Sequence, residues 1–178
     1  MEMILRKDQI EDIQSKIDYV FKNIALLNQA FTRRSYSAEH TGALDNELLE
    51  HIGDSFLGNI VTGILVKSFT SVGPNGFESK KNEKDFTDMK KYLVCSERLF
   101  EKIDSLHLSK HLIMGKGDIN KDVHTERKVK EDLFEAIIGA IAIDTNFDMF
   151  ILEKVIQRMM KLDYYIQNDF EDMRKNQK

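Results

Sequence analysis

The stretch NELLEHIGDSFLG, residues 46–58, sets apolar side chains at helical spacing and threads acids between them. Leu48, Leu49, Ile52, Phe56 and Leu57 recur every three or four positions, and Ile60, Val61, Ile64 and Leu65 extend the pattern. This periodicity predicts a largely buried helix over about 45–70. Glu47, Glu50 and Asp54, spaced three and four apart, share one face of it, where like charges repel. Gly53 in its interior costs about 1 kcal/mol relative to alanine. A core helix that gathers negative charge and keeps a glycine demands a compensating partner elsewhere in the chain.

A second helix supplies the partner. In EDLFEAIIGAIAID, residues 131–144, Leu133, Phe134, Ile137, Ile138 and Ile141 form another apolar stripe, again broken by acids. Asp132 and Glu135 share a face that Ala136 and Gly139 continue with small side chains, as Gly58 does four residues beyond Asp54. Two helices with such faces can cross closely and bring Glu50, Asp54, Asp132 and Glu135 to one place. Four carboxylates together raise one another's pKa values unless something neutralises them. Oxygen donors without thiolate or imidazole point to Mg²⁺ or Mn²⁺, and hence to phosphodiester or phosphoanhydride cleavage. The alternative is that these acids are solvated positions on amphipathic helices.

The remainder of the chain also reads as helical. Only one proline occurs, Pro74, and strictly alternating β-branched runs are scarce, so the expected class is all-α. Helices are expected over 8–21, over a short segment capped by Asn23, and near 84–92, 95–104, 107–112, 128–143 and 147–168. TSVGPNGF is the strongest turn signal, and 114–127 reads as a polar loop. Residues 1–168 are expected to form one catalytic domain and 169–178 a solvated end.

Composition narrows the partners. The 178 residues carry a net charge of −4, so contact with a polyanion must come through local basic patches or through ions held by acids. No apolar run is long enough for a membrane span and no signal-peptide core opens the chain, so the expected compartment is the cytoplasm. Cys95 is the single cysteine and is expected to act as a small buried hydrophobe. His107 and His111 lie four apart without nearby acids or thiols and read as structural.

Five ordered segments resemble the ribonuclease III family, the endonucleases of double-stranded RNA. Residues 46–57 are similar to its signature N-E-R-L-E-F-L-G-D-[AS]-V-L, and residues 132–140 to D-x-F-E-A-L-I-G-A. QAFTRRSY (29–36), FTDMKKYLV (86–94) and LIMGKGD (112–118) resemble further family segments in the same order. The resemblance covers about 12–160. It implies the helical endonuclease-domain fold, a two-fold homodimer, and Glu50, Asp54, Asp132 and Glu135 as the metal ligands of hydrolysis. It also implies assisting roles for Glu47 and Glu83, and a place near the scissile phosphate for Lys128, matched by a lysine in eukaryotic members such as Dicer. The products it implies are 5′-phosphate and 3′-hydroxyl ends with a short 3′ overhang. Lys80, Lys81, Lys90, Lys91, Lys116 and Lys121 are candidates to steer the RNA backbone, although a solvated surface position is the first reading for each.

Departures from the family pattern are local. His51 stands where a phenylalanine plugs the partner subunit, which puts the usual dimer anchor in question. Leu48 replaces an arginine and Arg33 a histidine, while Lys130 and Glu131 stand where small or apolar residues precede the second motif. Glu131 is expected to point away from Asp132, its chain neighbour. Fewer than twenty residues follow the last expected core helix, too few for a double-stranded RNA-binding domain, so weak and salt-sensitive RNA binding is expected. Two rival readings are an all-α nucleotide pyrophosphohydrolase, whose second acid pair should follow sooner than Asp132, and a non-catalytic RNA-binding scaffold.

Overall fold

A computed structural model describes residues 5–168 together with Phe170 and Met173. The described chain runs through α1 (Lys7–Ile17), α2 (Ile24–Phe31), α3 (Arg34–Glu39) and the long α4 (Glu47–Phe69). A hairpin of β1 (Thr70–Gly73) and β2 (Gly76–Ser79) follows, then α5 (Glu83–Val94), α6 (Ser96–Ser105), α7 (Lys116–Asn120), α8 (Arg127–Asp144), α9 (Met149–Met160) and α10 (Leu162–Gln167). Single 3-10 turns at Ser109–His111 and Val123–Thr125 flank α7. No described helix is long and apolar enough to cross a membrane.

α8 is the axis of the fold. Its side chains from Leu133 to Ala142 are all buried, because α4, α2 and α6 pack around it and α9 closes on its end. Leu49, Leu57, Ile60, Val61, Ile64 and Leu65 of the expected stripe on α4 are buried, whereas Ile52 and Phe56 are half-buried and Leu48 is exposed. At the crossing the two backbones touch. A Cβ on Gly53 would lie 1.8 Å from the Glu135 carbonyl oxygen, and one on Gly139 would lie 2.0 Å from that of Leu49. The close approach expected of Gly58 is absent: it faces the Lys90 side chain, and Gly53 carries the contact, which explains the glycine in a buried helix.

Caps and anchors fix the other elements. Asn23 accepts a hydrogen bond from the Ala25 amide and starts α2 as expected. Asp144, at the end of α8, accepts from Tyr19 Oη at 2.6 Å and from the Lys22 and Asn23 amides at 2.8 and 2.9 Å, tying the α1–α2 connection to the core. His111 is buried with its ring between Gln9 and Asp12, the structural role expected of it.

Several boundaries differ from expectation. α1 stops at Ile17 because Asp18 takes a left-handed conformation. The turn signal at 70–77 forms a two-stranded hairpin, with Gly76 at φ 114° and Val72 paired to Phe77. It is the one sheet among the described residues. The helix expected at 107–112 is a single 3-10 turn, the polar loop at 114–127 contains α7, and α3 is an unexpected short helix. The helix expected over 147–168 divides at Lys161, φ 54°, into α9 and α10. Cys95 is half-buried at the α5–α6 junction rather than in the core, its thiol facing the Tyr92 carbonyl. Of the stretch 169–178, only Phe170 and Met173 are described; Phe170 is buried beside Tyr165, and the other positions lie outside the described residues.

Candidate metal centre

α4 and α8 cross where Gly53 meets Glu135 and Gly139, and the acids lie beside this crossing. Glu50, Asp132 and Glu135 each direct a carboxylate oxygen so that the three oxygens lie within 4.8 Å of one another. A cavity of about 280 Å³ opens beside this group, lined by Glu50, His51, Asp54, Lys128, Glu131 and Glu135; Asp132 itself does not line it. Asp54 is exposed on its rim, outside the three-oxygen group, yet near enough for its charge to act on Glu135.

The electrostatics are those of crowded acids. Glu135 is pushed up to about 8, first by burial and then by Asp54, Glu131 and Glu50, with Lys128 opposing. Glu50 is raised as well, by burial and by Asp132. Lys128 holds its proton above the ordinary lysine range: burial works against the charge, but contact with Asp132 and the fields of Glu131 and Glu135 outweigh it. Its ammonium lies 2.8 Å from Asp132 Oδ1, 3.6 Å from Glu131 and 3.8 Å from Glu50. Oδ1 of Asp132 is buried, and the Lys128 ammonium 2.8 Å away is the cation beside it. A buried carboxylate oxygen met only by a lysine ammonium, in a set of hard oxygen ligands, fits a divalent cation such as Mg²⁺ or Mn²⁺.

Of the other expected residues, His51 alone lines the cavity. Glu47 is exposed at the start of α4 and pairs with Arg34 at 3.0 Å. Glu83 is exposed at the first position of α5. None of the six candidate rim lysines lines the cavity; Lys81 lies over the Phe69 ring at the base of the hairpin. His51 is exposed on the cavity wall. Glu131 corrects the expectation that set it aside. It lies one turn before Glu135, so it faces the cavity and accepts a hydrogen bond from Ser96 Oγ at 2.8 Å. Lys130, another departure, is buried and pairs with Asp104 on α6 at 2.5 Å.

An all-α fold built on two crossed acidic helices is that of a ribonuclease III nuclease domain. It superposes on the nuclease domain of ribonuclease III from Campylobacter jejuni with a TM-score of 0.74, at 26% identity, covering 89% of this chain and 97% of that one. Dicer from Pichia stipitis matches with a TM-score of 0.56 at 27% identity, covering 81% of this chain and 58% of that one. The family model for ribonuclease-III-like proteins matches residues 23–162, and the chain belongs to that family. Ribonuclease 3 of Treponema succinifaciens is 42% identical over 89% of this chain and 43% of its own length. The Roseburia hominis enzyme is 43% identical over 85% and 46%. The chain thus spans less than half the length of these two curated relatives.

Proposed function

We propose that this chain is the nuclease domain of an endoribonuclease that hydrolyses double-stranded RNA with Mg²⁺ or Mn²⁺, leaving 5′-phosphate and 3′-hydroxyl ends and a short 3′ overhang. The observation that carries this reading is the convergence of Glu50, Asp132 and Glu135 from two sequence-distant helices, around the ammonium of Lys128. These three residues would hold the ion, with Asp54 joining from the rim. When bound, such an ion supplies positive charge to the phosphodiester and lowers the pKa of water at the reacting phosphorus. Lys128 is the lysine or arginine among the described residues that lines the cavity, and so the one placed to meet a phosphate there. Glu47 and Glu83 assist from outside it.

One domain cuts one strand, so a two-fold homodimer is the working unit, with His51 on the pairing face and a duplex lying across both sites. Residues 1–168 act as the catalytic unit, and the single free thiol, Cys95, accords with a cytoplasmic setting. The test is incubation of a perfect RNA duplex with the protein and Mg²⁺, beside Glu135→Gln. Cleavage by the wild type alone supports the reading. Binding without cleavage would favour an RNA-binding scaffold, and hydrolysis of nucleoside triphosphates instead would favour a pyrophosphohydrolase.

A further inference from the structure

We infer that Arg33 is a positioning residue for the metal centre, holding one oxygen of Asp132 so that the other stays against Lys128 in the acidic cluster. This deepens the reading of Asp132 as a metal ligand and rests on it. Arg33 precedes α3, and its backbone amide is fixed to the Ile113 carbonyl at 2.9 Å. Its guanidinium reaches two acids from different parts of the chain. Nε donates to Asp118 Oδ2 at 3.2 Å, and an Nη lies 3.7 Å from Asp132 Oδ2.

Asp118 is itself braced, because Ser35 Oγ donates to the same oxygen at 2.7 Å and accepts from the Gly115 amide at 3.1 Å. A Cβ on Gly115 would lie 2.4 Å from the Ser35 carbonyl oxygen, so the loop sits directly on α3. All three charged side chains are largely withdrawn from water, with 22% of Arg33, 20% of Asp118 and 13% of Asp132 exposed. A planar fork held at one prong cannot swing away from the other. Asp132 therefore has a fixed cation at Oδ2, leaving Oδ1 toward Lys128 and the other acids. Partners behind a ligating carboxylate set its orientation, and their removal weakens metal binding without touching the ion.

The experiment is calorimetric titration with Mn²⁺ alone, alongside thermal melting of each variant. Arg33→Met combined with Asp118→Asn removes the brace without stranding a buried charge at position 118, and its Mn²⁺ affinity should fall by about ten- to a hundredfold. Asp118→Asn alone keeps an oxygen for Nε and should bind Mn²⁺ like the wild type. Arg33→Lys, whose single ammonium cannot reach both acids, should lose affinity while retaining the charge and supplies the test should the double variant melt early. Binding by the double variant or by Arg33→Lys equal to the wild type overturns the proposal, as does an equal loss in Asp118→Asn, which would assign the effect to the loop. No Mn²⁺ uptake by the wild type overturns the metal reading itself, and this one with it.

Discussion

Gly53 and Gly139 face each other across the α4–α8 crossing, each with its hydrogen pressed against a carbonyl oxygen of the opposite helix. The relationship is reciprocal, and it fixes how near the acids on the two helices come.

A methyl group at either position must therefore part the helices. Gly53→Ala and Gly139→Ala are each expected to destabilise the protein by about 2 kcal/mol or more, read from urea denaturation midpoints. Gly63, in the same α4, has open space around its Cβ direction. Gly63→Ala should stabilise by up to about 1 kcal/mol. Equal effects at positions 53 and 63 would show that the crossing yields to a side chain.

The raised pKa of Glu135 gives the metal-free protein a pH dependence of definite sign. The folded chain keeps this proton to about 8, whereas the unfolded chain releases it near 4.5. Its contribution is fully present below about 4.5 and is lost as the pH climbs toward 8. Melting temperatures without metal should fall across that interval, and Glu135→Gln should remove part of the slope. Mn²⁺ should bind more tightly as the pH rises, with proton release visible when the titration is repeated in buffers of different ionisation enthalpy.

Asp144 joins the α1–α2 connection to the core through three accepted hydrogen bonds. Asp144→Asn keeps the shape but loses the charge, and is expected to cost about 1–3 kcal/mol in denaturant unfolding. Hydrogen exchange at the Lys22 and Asn23 amides should quicken in the variant; unchanged protection there would contradict the anchor.

His51 is exposed on α4, where the resemblance sets an apolar plug. If this face pairs two copies, His51→Phe should tighten self-association by about tenfold or more, the effect of burying an aromatic ring. Sedimentation velocity over a dilution series measures it. Identical association of both chains would remove His51 from the pairing face.

Much of the centre was legible in the chain because a 3.6-residue repeat is strict where a helix is buried. α4 and α8 fall at Glu47–Phe69 and Arg127–Asp144 against expected spans of about 45–70 and 128–143, and Glu50, Asp132 and Glu135 converge while Asp54 stays on the rim. What escaped depends on contacts between distant segments or on signals too short to read. The glycine at the crossing is Gly53 rather than Gly58, since rotation about a helix axis is set by the partner's shape. Glu131 was judged against its neighbour Asp132, although the spacing of four to Glu135 carried the signal. The hairpin strands are four residues long and largely exposed, so no alternation marks them. α9 ends at Lys161 in a left-handed conformation without the glycine or proline that usually announces one. The reach of Arg33 to Asp118 spans 85 positions, a pairing that no local pattern encodes.

The ammonium of Lys128 among the acids has a consequence for the order of assembly. A newly made chain brings its own counter-charge to the crossing, so folding need not wait for an ion. Loading then becomes an exchange, in which an incoming cation competes with a tethered one already in residence.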